Sequence, residues 1–116
     1  MLVPVFVSAR QVFTIEGPEE DYNQIRVENG TSQVNFRCRI VILDNDDSVL
    51  TTYGVFELKE KGDSDSNTSR IPRGTRIGID MPKDFPVQVS YFIEYRDYPL
   101  FDAVIIHLTD ETTEFE

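Results

Sequence analysis

The apolar positions of this 116-residue chain recur with a period of two, and no window of helical length carries an i, i+3, i+4, i+7 stripe. Alternation of that kind places successive side chains on opposite faces of a strand. Eight strands follow from it, over residues 2–8, 11–16, 24–28, 33–43, 48–58, 75–80, 85–95 and 101–108. The clearest is 33–43, where Val34, Phe36, Cys38, Ile40 and Ile42 share one face and Gln33, Asn35, Arg37 and Arg39 the other. At Val41 and Leu43 both faces turn apolar, which predicts an end covered on both sides. In 85–95 one face carries Phe85, Val87, Val89, Tyr91, Ile93 and Tyr95.

The punctuation agrees with the pattern. Asn29-Gly30 is suited to a hairpin turn after the third strand. Gly54, inside 48–58, predicts a bulge or a close backbone approach. Residues 59–74 form the longest polar loop, expected to be flexible or partner-contacting. "RDYPL" turns the chain into the last strand, and residues 109–116 follow it as an acidic tail. The fold class is therefore all-β: one domain over 1–116, an antiparallel β-sandwich or jelly-roll-like barrel.

Composition narrows the function. There are 21 acidic against 11 basic side chains, a formal net charge of −10. That field repels phosphate backbones and anionic lipid, so neither nucleic acid nor membrane is an expected partner. No stretch approaches the ~20 apolar residues of a membrane helix. "MLVPVFVSA" has no basic start and is interrupted by Pro4, which argues against a signal peptide, so an intracellular or virion setting is expected. A single cysteine permits no internal disulfide, and Cys38 lies on the apolar face of its strand, as a buried thiol. Sequons occur at Asn29 and Asn67 and matter only in a eukaryotic secretory route.

Few residues look like chemistry. Asp44-Asn45-Asp46-Asp47 stands between two strands, and Asp44, Asp46 and Asp47 are candidate cation ligands, as are Asp63 and Asp65 in "DSDSN". Calcium requires six to eight oxygens, and neither stretch supplies a set. The first lacks the Gly-then-Glu continuation, and the second has Thr68 and Gly74 where an EF-hand needs Gly and Glu. Leu43-Asp44-Asn45-Asp46-Asp47 resembles the acidic linker of cadherin repeats. That linker joins two extracellular modules, whereas this one lies mid-chain, so no cadherin function is carried over. A hairpin turn, with Asp and Asn bonding their own backbone, is the expectation for 44–47.

His107 is the lone histidine, read as a satisfied residue at the rim of the last strand; alone it excludes two-histidine zinc and iron sites. Arg70, Arg73 and Arg76 form the one basic cluster, able to take a partner carboxylate or phosphate. Internal pairing with Asp63, Asp65 or Asp80 is the favoured use of these arginines. In the acidic tail, Phe115 is the one apolar anchor for another subunit.

No catalytic or cofactor motif is present, and the expected function is non-enzymatic: packing against other protein subunits, or copies of itself, in a larger assembly such as a virion. A phage capsid cement, tail or baseplate subunit would suit the size and acidity. The alternatives are an acidic inhibitor that imitates nucleic acid and a calcium-binding β-sandwich module.

Overall fold

The computed structural model describes residues 10–110. The expected strand over 2–8 and residues 111–116 of the tail, with Phe115, lie outside that range. Ten strands follow in chain order: β1 (Gln11–Thr14), β2 (Asp21–Tyr22), β3 (Gln24–Gly30), β4 (Phe36–Leu43), β5 (Val49–Leu58), β6 (Ser64–Asn67), β7 (Ile71–Pro72), β8 (Arg76–Asp80), β9 (Val89–Tyr98) and β10 (Phe101–Asp110). The all-β expectation is met, and no helix occurs among the described residues.

Two four-stranded sheets, in the orders β1-β8-β4-β5 and β6-β3-β10-β9, face each other, and β2 and β7 form a short separate ladder. Between them lies a single core. Cys38, Ile40, Phe56, Leu58, Ile77 and Ile79 come from the first sheet, and Ile25, Val27, Val104, Ile106 and Leu108 from the second. Ile15, Tyr22 and Ile71 plug one margin of that core. Burial of these side chains is what holds two twisted sheets together.

Several expectations are corrected. The fold is mixed, because β3 pairs in parallel with β10, from Gln24 opposite Ala103 to Gly30 opposite Thr109. Asn29-Gly30 is consequently strand and not a hairpin turn. Gly30 is required for proximity: a Cβ there would lie 2.5 Å from the Leu108 carbonyl oxygen. Asn29 is buried, and its carboxamide takes bonds from the Thr31 N–H and hydroxyl and donates to the Gln33 carbonyl. An amide so enclosed is no glycosylation acceptor.

The 59–74 stretch is not a structureless loop, since it contains β6 and β7, paired with β3 and β2. Val34 lies outside β4 and is exposed, because β4 begins only at Phe36. β9 begins at Val89, although Phe85 and Val87 still pack against the core as expected. The chain reverses at Pro99-Leu100, with Tyr98 directly opposite Phe101. Thr109 and Asp110, placed in the tail by the sequence pattern, continue β10.

Candidate interaction site

A β-sandwich has four sheet edges, and each carries backbone groups that need partners. At the β5–β6 seam the partners are side chains. β6 alternates, and every second residue from 63 to 67 reaches across to β5. Asp63 accepts a hydrogen bond from the Lys59 N–H at 2.8 Å, and Asp65 from the Glu57 N–H at 3.0 Å. Asn67 donates its amide to the Tyr53 carbonyl at 2.8 Å. Asp63 and Asp65, weak cation candidates by sequence, therefore cap the edge of β5.

The opposite seam, between β1 and β9, is closed in the same manner. Gln11 donates to the Val89 carbonyl at 2.8 Å, and the Tyr91 hydroxyl to the Val12 carbonyl at 3.1 Å. The Tyr95 hydroxyl accepts from the Glu16 N–H at 2.8 Å.

One piece of edge is left without such caps among the described residues. Residues 49–52 of β5, Val-Leu-Thr-Thr, are all exposed, with Val49 at 46% and Leu50 at 64%. Next along the strand, Val55 is exposed at 54%. β5 is terminal in its sheet, so no described strand lies along its outer side. Its pairing with β4 slips twice: Ile40 faces Gly54 and Val41 faces Thr52, while Ile42 faces Thr51 and Leu43 faces Val49. Tyr53 and Leu50 are the extra residues of two bulges, the first beside Gly54 as its glycine predicted. The bulge at Leu50 re-aims that side chain into solvent.

The 44–47 stretch is the hairpin turn expected of it, joining β4 to β5. The Asp44 carboxylate accepts from the N–H groups of Asp46 and Ser48, both at 2.9 Å. The Asp47 N–H bonds the Asp44 carbonyl at 3.0 Å, and Asp47 takes φ of 64°. Arg76 engages both oxygens of Asp47 and holds its carboxyl below the usual range. Asp44 and Asp47 are thus occupied by the turn and by a cation of the chain itself. No cluster of three His, Cys, Asp or Glu side chains with metal-binding geometry occurs among the described residues.

The three arginines do not form one rim. Arg70 clamps Asp21 at 2.6 Å, Arg73 donates to the Pro18 carbonyl at 3.2 Å, and Arg76 holds Asp47 and Thr14. Internal pairing was the right expectation and its partners were the wrong ones, since Asp63 and Asp65 cap β5. Asp80 instead joins Arg10 at 2.6 Å and Arg39 at 2.8 Å on the outer face of the first sheet.

His107 is not a rim residue. It sits in β10 with β3 on one side and β9 on the other, on the face turned away from the core. Nδ1 lies 3.1 Å from Glu28 and Nε2 2.8 Å from Glu94, while Phe92 stacks on the ring at 4.4 Å. The His107 and Arg96 hydrogen bonds hold the Glu94 carboxyl below its usual range. This cluster was missed, though a signal existed: a two-residue turn at Pro99-Leu100 fixes His107 opposite Phe92. The two carboxylates approach opposite ring nitrogens and cannot converge on one ion, so the arrangement is a three-strand tie. Cys38 lies in the core, where burial pushes its thiol up to about 12, and a sheet separates it from the outward His107. That geometry gives neither residue to a nucleophile–base pair.

No helix among the described residues is long and apolar enough to cross a membrane. No protein-family model, curated protein or solved structure matches this chain.

Proposed function

We propose that the protein is a non-enzymatic interaction module, a subunit of a larger assembly such as a virion, that recruits an extended segment of a protein partner to the edge of β5. The observation that carries this reading is the contrast along one strand. The second half of β5 has its outer backbone groups capped at Tyr53, Glu57 and Lys59. The first half, 49–52, is uncharged, β-branched or apolar, and exposed. Natural edges of that composition are normally blunted by charge or cover; one left bare serves strand addition. The bulge at Leu50 shortens the ladder a partner can form, so Leu50 and Val49 act as apolar anchors beside it.

The inhibitor alternative requires one continuous negative stripe. Carboxylates here alternate with cations: Arg10, Arg37, Arg39, Arg70, Arg76 and Arg96 each pair with an acid on a different part of the surface. That interspersion favours an assembly module.

The test is co-purification from the native source with Leu50→Lys beside the wild type. The variant should melt with the wild type, since Leu50 is exposed, and lose the partners that the wild type retains. Equal retention of those partners by Leu50→Lys overturns the reading.

A further inference from the structure

The edge of β5 calls for an occupant, and the chemistry of the chain narrows its identity. A protein of net charge −10 repels a second copy wherever acids face acids. Contact between copies is cheapest through segments with no charge. Residues 48–56 are such a segment and contain the exposed edge. Residues 1–9, Met-Leu-Val-Pro-Val-Phe-Val-Ser-Ala, are another. Their alternation predicts a strand in which Val3, Val5 and Val7 share one set of positions and Leu2, Pro4 and Phe6 the other.

Pro4 specifies what kind of strand that is. It has no N–H, so within a sheet it is tolerated only where its nitrogen faces away from a neighbour. A strand added to an edge bonds on one side only. With Val3, Val5 and Val7 bonding inward, Pro4 faces outward at no cost.

The geometry of the first sheet then decides whose edge is used. Residues 2–8 precede β1, which is one margin of the order β1-β8-β4-β5, while the bare edge is the other margin. Three inter-strand spacings, about 14 Å, separate β1 from β5. A strand made of residues 2–8 leaves only Ala9 to cross that span, because Arg10 is fixed to Asp80 by two hydrogen bonds. One residue covers at most ~3.6 Å. The chain's own β5 is out of reach of that strand, and a second copy's β5 is not.

We infer that residues 2–8 of one copy add as a strand to the 49–52 edge of β5 in a second copy. This rests on the reading of β5 given above and names its partner. Donor and acceptor lie at opposite margins of one sheet, so the contact is head-to-tail and propagates into a ring or a filament. Leu50, at 64% exposure, is the acceptor's anchor.

The experiment is mass measurement by light scattering and native mass spectrometry on the full chain, on a chain lacking residues 2–8, and on full-length Leu50→Lys. The wild type should self-associate with concentration. The deletion and Leu50→Lys should each self-associate about 10–100-fold more weakly, the effect of one lost apolar anchor. Should the deletion fail to fold, Val5→Lys in the intact chain takes its place with the same expectation.

The decisive sample is an equimolar mixture of the donor-deficient and acceptor-deficient chains. One retains a working edge and the other a working arm, so the mixture should form a one-to-one complex and nothing larger. A monomeric wild type, or a mixture that stays monomeric, overturns the inference. If Leu50→Lys nevertheless loses its partners in the native source, the β5 reading stands and the donor is a different protein. If it keeps them, both fail.

Discussion

Tyr53 and Asn67 exchange hydrogen bonds across the two sheets. The Tyr53 hydroxyl donates to the Asn67 carbonyl at 2.8 Å, and the Asn67 side-chain amide donates to the Tyr53 carbonyl at 2.8 Å. The same hydroxyl also donates to the Ser69 carbonyl at 2.6 Å and accepts from the Ser69 N–H at 3.0 Å. Tyr53 is the extra residue of a bulge, so the irregularity in β5 is what turns its side chain toward β6. The seam and the bulge are one feature. Tyr53→Phe keeps the ring and strands these backbone partners, so it should lower stability by about 1–3 kcal/mol in urea unfolding. Loss of nothing measurable would show that solvent satisfies them equally well.

Gly54 belongs to the same arrangement. A Cβ at this position would lie 2.7 Å from the Asn67 side-chain nitrogen and 3.3 Å from Phe56 Cε1. Gly54→Ala should therefore destabilise, by about 1–3 kcal/mol. The double variant Gly54→Ala, Asn67→Ala should cost less than the two singles combined, because the clash and the bond share one atom. Strict additivity in thermal or chemical melts would separate the glycine from the seam.

The alternation of apolar residues was enough to place β4, β5, β8 and β10, the 44–47 turn and the bulge beside Gly54. It failed where pairing, rather than periodicity, decides. Nothing in "QIRVENG" distinguishes a hairpin strand from one laid parallel to a partner 79 residues further on. The short strands β6 and β7 are polar, and their positions depend on β3 and β2. Asp63 and Asp65 resembled cation ligands because any acid capping a backbone N–H looks, in sequence, like one awaiting a metal. His107 was visible as a residue but not as a tie, since Glu28 and Glu94 reach it only through the register of β3 and β9.

Calcium should do little to this protein. Asp44 is committed to two N–H groups of its own turn, and Asp47 to Arg76. Millimolar calcium should leave the Tm unchanged, whereas a ligand at a hundred times its Kd would stabilise by about 2.7 kcal/mol. Asp44→Ala, by contrast, should lower stability by about 1 kcal/mol with or without calcium, through loss of its hydrogen bonds to the turn. A rise in Tm that EDTA reverses would contradict the assignment.

Cys38 should be chemically silent in the folded state. It is fully buried on the core face of β4, and burial raises its thiol to about 12, far from thiolate at neutral pH. A thiol reagent should modify it only at the rate of unfolding, so labelling should accelerate in parallel with added urea. Fast labelling of native protein would place β4 one residue out of register, which exchanges its two faces.

The pH dependence of stability contains two opposing contributions. Burial pushes the Asp80 carboxyl up, but hydrogen bonds from Arg10 and Arg39 outweigh it, and the folded value is lowered. A carboxyl lowered by folding contributes stability that is present above its unfolded pKa, about 3.9, and is lost as pH falls through the folded value. Asp47 and Glu94 act in the same direction, through Arg76 and through His107 with Arg96. Asp102 has the opposite sign. It stands directly across from Asp97 in the β9–β10 ladder, and their hydrogen bond raises it, with burial and the charges of Asp97, Glu19 and Asp21 adding to the shift. Its contribution is present below its unfolded pKa and is lost as pH rises through the folded value. Between the two, urea unfolding at pH 7 and pH 3 should separate the sites. Asp80→Asn should destabilise at pH 7 and lose less on acidification than the wild type. Asp102→Asn removes one of two like charges that face each other at neutral pH, so it should stabilise at pH 7 and gain nothing at pH 3. A stabilisation by Asp102→Asn that is equal at both pH values would mean that the two carboxyls do not share a proton, and that the ladder tolerates their charges through solvent alone.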